Sequence, residues 1–236
     1  MSDTGSTNKA DVSVVLCGQA GQGIQTVEKI LVYCLKQSGF YVYATNEYMS
    51  RIRGGVNSTE IRISSQRVLS YLDRIDIFLP FHQLALYHLA DRITPETTVI
   101  GDRQKICIDC PDNINDFLDI PLADMADAIG SKIFINIIAA GVILGLFGAD
   151  LERVITFIGK FFARKSEEII SKNTEAIQKG YKQGQSLLQS LKKSFALTKN
   201  PKIENELLIN GAEAVGLGAI AGNCKFLSAY PMSPST

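Results

Sequence analysis

Residues 12–16, Val-Ser-Val-Val-Leu, are a short β-branched run suited to a buried strand. Beyond a glycine-rich stretch, Ile24, Val27, Ile30, Leu31, Cys34 and Leu35 recur at i, i+3, i+6, i+7, i+10 and i+11. That spacing predicts a helix with one apolar stripe. Gly39 supplies its stop, and a second strand begins over residues 40–45, so the region reads as a strand–helix–strand unit. Further strand patterns follow at 58–63, 75–79, 98–100 and 105–109, with a helix over 82–92 ahead of the Thr94-Pro95 break. This alternation predicts an α/β fold: a doubly wound, mostly parallel, Rossmann-like sheet with helices on both faces.

From Ser131 the pattern becomes helical: an apolar helix through Leu146, a second from an Asp150 N-cap to about Phe162, and a polar third from about Lys165. These form a C-terminal helical segment. Residues 196–206 are charged, carry Pro201 and read as a linker. After it, 207–222 reads as a new helix and 224–231 as a new strand. The expected organisation is a disordered stretch over 1–10, a domain over 11–195, the linker, and the start of a further domain over 207–236. The chain is therefore expected to be the front of a longer polypeptide.

Composition narrows the partners. Among 236 residues, Lys plus Arg and Asp plus Glu number 24 each, so there is no global basic field for nucleic acid or an anionic membrane. The polar first ten residues lack the apolar centre of a signal peptide. The longest apolar run, Ile133 to Phe147, is interrupted by Asn136 and two glycines and is too short to cross a bilayer. A cytoplasmic protein is expected. Five irregularly spaced cysteines, Cys17, Cys34, Cys107, Cys110 and Cys224, suit a reducing compartment with buried free thiols. Cys107 and Cys110 form a C-x-x-C in a strand pattern with no second pair to complete a metal site, and read as incidental. His82 and His88 cannot share a helix face and read as structural or exposed.

Two clusters could carry chemistry. Gly18-Gln19-Ala20-Gly21-Gln22-Gly23 has the order G-x-x-G-x-G, the reverse of a dinucleotide fingerprint, and lacks the Lys-Ser/Thr of a nucleotide-binding P-loop. Glycines between strand and helix allow positive φ and close ligand approach, and first-turn N–H groups face an anion. A phosphate-bearing ligand fits; a turn that serves packing alone is equally open. Arg51 and Arg53, ahead of Gly54 and Gly55, suit fork-like recognition of phosphate or carboxylate, or else a solvated charged strand. In a doubly wound sheet they fall on the same carboxyl edge as the glycines.

The segments "GQAGQGIQTVEKIL", "EYMSRIRGGVNSTEIRIS" and "FFARKSEEIISKNTEAIQKGY", in that order over residues 12 to about 190, resemble the gamma domain of the 2-oxoacid:ferredoxin oxidoreductases. The tail "NGAEAVGLGAIAG…AYPMSPST" resembles the opening of the alpha subunit's pyrimidine-binding thiamine diphosphate domain. A gamma region fused ahead of an alpha region resembles the alpha subunit of the 2-oxoglutarate, or more broadly 2-oxoacid, enzymes.

The resemblance implies thiamine-dependent oxidative decarboxylation of a 2-oxoacid, such as 2-oxoglutarate or pyruvate. Electrons pass through iron–sulfur clusters to ferredoxin, and the acyl group passes to coenzyme A. It associates residues 11–195 with coenzyme A, giving Gly18, Gln19, Gly21, Gln22, Gly23, Arg51, Arg53, Gly54 and Gly55 a polyanion to bind. Ser233 corresponds to the family's substrate-contacting threonine and keeps a hydroxyl. No catalytic residue is expected in this stretch. Thiamine diphosphate, magnesium and the clusters would belong to the complete complex with a beta subunit; a homodimer is also compatible. A stand-alone NAD- or flavin-binding module and a docking scaffold are the alternatives.

Overall fold

The computed structural model describes residues 10–19, 21–49, 55–107, 110, 113–191 and 195–230. The chain divides into two compact units between Glu204 and Asn205. In the first, strands β1 (Asp11–Gln19), β2 (Tyr41–Glu47), β3 (Val56–Ser64), β4 (Ile77–Pro80), β5 (Thr98–Gly101) and β6 (Asp116–Asp119) form one sheet, ordered β2-β3-β1-β4-β5-β6. The pairs β1–β4, β4–β5 and β5–β6 are parallel. β3 lies antiparallel between β1 and β2, so the first strand–helix–strand unit encloses a third strand.

Helix α1 (Ile24–Gln37) buries the apolar stripe read from the sequence, and Gly39, at φ 94°, closes it in the left-handed region. One sheet face carries Val12, Val14, Leu16, Ile61 and Ile63 against α1 and α5 (Ile135–Leu146). The other carries Val15, Cys17, Phe78 and Val99 against α2 (Gln83–His88) and against Leu89 and Ile93, which flank the 3₁₀ turn Ala90–Arg92. Helices thus cover both faces, as expected. Helix α5 is apolar around its circumference except at Asn136, which fits its position between the sheet-facing helix α1 and an outer helix. That outer layer comprises α6 (Leu151–Phe161), where the Asp150 carboxylate accepts from the Glu152 and Arg153 amides, and α7 (Glu167–Leu187).

Three local expectations need correction. Of the strand expected over 105–109, the described residues 105–107 are not a strand: Arg103–Ile106 forms a one-turn helix, α3. The position beside β5 is filled by β6, and Asp119 Oδ1 accepts from the Arg103 amide at 2.9 Å, which holds the turn. β6 and α4 (Leu122–Asp127) were not anticipated, being short and interspersed with aspartates. In the second unit, α8 (Gly211–Ala221) is present and opens with an Asn210–Glu213 capping box. The strand expected from Cys224 is absent among the described residues, since that unit has no other strand there to pair with. Its apolar side chains, including Leu207, Val215, Ile220, Phe226 and Leu227, are exposed. In the stretch read as a linker, the Asn200 amide donates to the Gly39 carbonyl at 2.8 Å and Ile203 is buried.

An ionic network fastens the start of β1. The Asp11 carboxylate accepts from Arg62 Nη2 and Arg74 Nη2, both at 2.5 Å. Burial opposes its charge, but the hydrogen bonds from Arg62 and Arg74, reinforced by their charges, hold its pKa below the ordinary aspartate value. A carboxyl depressed in the folded state contributes stability that is complete above the unfolded-state pKa of about 4 and is lost as pH falls through the lower, folded value. Urea midpoints should therefore drop on acidification below about pH 4, and Asp11→Asn should lower the neutral-pH midpoint while flattening that acid limb. An acid limb unchanged by Asp11→Asn would remove this network from the account.

Candidate functional site at the β1–α1 glycine turn

β1 delivers the chain to the sheet's carboxyl edge at Gln19, and the backbone reverses into α1 through Gly21 (φ 90°) and Gly23 (φ 77°). Side chains rarely adopt these values, which is why glycine occupies both. The Gln22 amide donates to Gln19 O at 3.1 Å, and Gln22 Oε1 accepts from the Gln19 amide at 2.7 Å. A Cβ on Gly18 would lie 2.6 Å from that oxygen, so the first glycine makes room for the glutamine side chain. Gly23 is the N-cap of α1, and no side chain caps the helix. Its carbonyl accepts from Thr26 and Val27, leaving the N–H groups of Ile24 and Gln25 ahead of the first helical bonds. An uncapped helix start of this kind favours an anion.

The turn is braced from α5. Asn136 Nδ2 donates to Gln22 O, and the same nitrogen lies 2.6 Å from where a Gly23 Cβ would be. Two cavities flank the turn. One, of about 390 Å³, is bounded by Gly21, Gln22, Gly23, Phe81, Lys132 and Asn136, among others. The second, of about 270 Å³, includes Gln19, Gln25, Tyr48, Asn57, Ser58 and Thr59 in its lining. Tyr48 Oη accepts from Gln25 Nε2 at 2.9 Å. On this side Ser58 Oγ donates to Glu47 Oε2 at 3.2 Å, and Thr59 Oγ1 donates to Asn46, whose amide donates to Glu28. Carboxylates therefore back the second cavity, while a lysine borders the first.

Of the residues singled out from sequence, Gly18, Gln19, Gly21, Gln22 and Gly23 meet at this turn. Val56 pairs with Gln19, which puts the preceding Gly55 at the same sheet edge. Arg51, Arg53, Gly54 and Ser233 lie outside the described residues. Sequence reasoning missed Tyr48, Asn57, Phe81, Lys132 and Asn136. Only Asn136 carried a readable signal, as the sole polar residue of an apolar helix.

Cys17 and Cys34 are buried, and burial, with the Glu47 charge as a smaller contribution at Cys17, pushes both thiols up to about 12, leaving them unreactive. Cys17 and Cys34 are buried free thiols as expected, whereas Cys224 is exposed and Cys107 and Cys110 are joined as a disulfide. His82 has a structural role, its Nδ1 accepting from the Leu84 amide at 3.1 Å as the N-cap of α2. Among the described residues no group of three or more His, Cys, Asp or Glu could hold a metal ion, and no helix is long and apolar enough to cross a membrane.

Residues 13–183 match the family described as pyruvate ferredoxin/flavodoxin oxidoreductase. The chain belongs to this family. Within it, the chain is 25% identical over 266 residues to a 2-oxoacid:ferredoxin oxidoreductase subunit alpha from Sulfolobus sp, covering 95% of this chain and 41% of that relative. To the 2-oxoglutarate synthase subunit KorC of Archaeoglobus fulgidus it is 27% identical, with coverage of 74% and 88%. The fold is similar to a 2-oxoglutarate:ferredoxin oxidoreductase structure from Magnetococcus marinus, solved with 2-oxoglutarate, coenzyme A and succinyl-CoA bound. There the TM-score is 0.81 and the identity 26%, over 96% of this chain and 40% of that one. The chain thus spans about two fifths of the alpha-type relatives, whereas it covers most of the shorter KorC subunit.

Proposed function

We propose that this chain supplies the coenzyme A-binding part of a multisubunit 2-oxoacid:ferredoxin oxidoreductase, with the glycine turn Gly18–Gly23 receiving a phosphorylated portion of the cofactor. The observation that carries the reading is the uncapped start of α1 behind two left-handed glycines, with cavities of about 390 and 270 Å³ on either side. Kinship to a protein solved with coenzyme A supports it. The cofactor fits these residues: bare amides suit phosphate oxygens, and glycine lets the backbone approach them. Coenzyme A, when bound, supplies the thiol that accepts the acyl group. The work of this chain is to bind and orient it. The G-x-x-G-x-G order, which is not the dinucleotide spacing, speaks against the NAD alternative.

The complete enzyme is proposed to act in the cytoplasm on 2-oxoglutarate, pyruvate or a similar 2-oxoacid, and to reduce ferredoxin. Thiamine diphosphate, magnesium and iron–sulfur clusters are assigned to the rest of the complex, including a beta subunit, as the kinship to subunits of 2-oxoacid:ferredoxin oxidoreductases suggests. Residues 207–236, with exposed apolar side chains over 207–230 and kinship along the alpha-type relatives, are proposed to belong to the thiamine-binding region, where Ser233 would contact the 2-oxoacid.

Calorimetric titration of the full 236-residue chain with coenzyme A tests the reading. Saturable binding that NADH does not reproduce is expected. An absence of heat at millimolar coenzyme A, or preferential binding of NADH, would overturn it.

A further inference from the structure

The two cavities beside the glycine turn are electrostatically unequal, and one side chain fixes the turn's shape from a distance of 114 positions in sequence. The larger cavity is where the starts of α1 and α5 meet, with Gly21, Gln22 and Gly23 on one wall and Ile135 and Asn136 on the other. The start of α1 has no side-chain cap, while α5 continues directly from a 3₁₀ turn whose Lys132 carbonyl accepts from the Ile135 amide. Lys132 borders the same cavity one turn ahead of Asn136, in a 3₁₀ turn (Lys132–Phe134) whose N-cap Ser131 accepts from the Ile133 amide. Lys132 is exposed and is one of the residues lining this cavity. The smaller cavity is lined by the first residues of α1 and by Ser58 and Thr59, with Glu47 hydrogen-bonded to Ser58 behind the wall and Glu28 linked through Asn46 to Thr59. A phosphate entering the smaller cavity would have carboxylates one hydrogen bond behind the wall and no cation in the lining, whereas in the larger cavity it would meet a lysine beside the glycine backbone.

Asn136 has a distinct part. Its carboxamide donates to Gln22 O while filling the space a side chain on Gly23 would need, so the turn is pinned at the residue between its two left-handed glycines. A turn with two glycines is conformationally free in isolation. Holding its amides in one direction before the ligand arrives requires an external brace, and Asn136 is placed to provide it.

We propose that the junction of the 3₁₀ turn with α5 is the second half of the cofactor site: Lys132 pairs with an anionic phosphate of the ligand in the larger cavity, and Asn136 is the positioning residue that holds the glycine turn. This rests on the coenzyme A reading above and assigns the phosphorylated end to one of the two cavities.

The test is calorimetric titration of the full chain with coenzyme A in four variants. Lys132→Gln should weaken binding about tenfold or more, as loss of one charge-assisted hydrogen bond implies, and Lys132→Arg should restore most of it. Asn136→Ala should weaken binding by about the same factor and speed hydrogen exchange at the Gly23 and Ile24 amides in the ligand-free protein. Val154→Ala, a core truncation in α6 away from the turn, should lower the thermal midpoint with coenzyme A affinity unchanged; this separates a positioning role from general destabilisation. Should Asn136→Ala fail to fold, Lys132→Gln at an exposed position carries the test. Wild-type affinity in both Lys132→Gln and Asn136→Ala would overturn the inference while leaving the coenzyme A reading standing. A wild-type chain that does not bind coenzyme A would instead remove that reading itself.

Discussion

Replacing Gly184 by Ala is expected to lower the thermal unfolding midpoint by about 6–12 °C, the consequence of roughly 3 kcal/mol of overpacking in a unit of this size. The cause is the contact between α5 and α7. Gly141 and Gly145 on α5 face Gly180 and Gly184 on α7, and a Cβ on any of the four would overlap a backbone carbonyl of the opposite helix. At Gly184 the obstacle is the Val142 carbonyl, with Leu146 N 3.0 Å away. Both obstacles are main chain of a buried helix, so neither can rotate aside. Alanine ordinarily stabilises a helix relative to glycine by about 1 kcal/mol, which makes the sign of the effect diagnostic. Gly159 on α6 has nothing within 4 Å of its Cβ position, and Gly159→Ala should stabilise by about 0.5–1 kcal/mol. Differential scanning calorimetry of the two variants separates the cases, and a Gly184→Ala midpoint at or above wild type would refute the interlock. The packing bears on function because α5 must hold Asn136 at the turn.

Gly23→Ala is expected to weaken coenzyme A binding about 100-fold, read by calorimetric affinity, through left-handed strain of about 1–2 kcal/mol plus displacement of the brace. At φ 77° an alanine is strained whatever the space around it, and its Cβ would also lie 2.6 Å from Asn136 Nδ2. The asparagine would have to leave Gln22 O to make room. Gly21 offers the comparison: φ is 90°, yet nothing lies within 4 Å of its Cβ position. Gly21→Ala should therefore carry the strain alone and cost about tenfold. Equal losses in the two variants would show that strain alone matters; no loss in either would detach the turn from the ligand.

What the sequence revealed of this molecule was local. The β-branched run of β1, the stripe of α1, the glycines between them and the Gly39 stop all depend on neighbours a few positions apart, and each is present in the fold. The Asp150 N-cap was legible for the same reason. Residues 105–109 misled because a short apolar run fits either a strand or a single helical turn, and the outcome was set by β6 taking the place beside β5. The insertion of β3 between β1 and β2 is a matter of topology that no periodicity encodes. In the site, the glycine turn was readable, but its brace was not: Asn136 reaches Gln22 across 114 positions, and only its isolation in an apolar helix marked it. Lys132 looks like any surface lysine until the cavity beside it is seen.

The most direct measurement is amide hydrogen exchange on the full chain with and without coenzyme A. Binding at the glycine turn predicts slowed exchange at Gly21, Gly23, Ile24 and Gln25 and at residues 132–136, with no change in the Tyr33–Phe157 groove between α1 and α6. Protection confined to that groove, or exchange at the turn unaltered by saturating coenzyme A, would contradict the account.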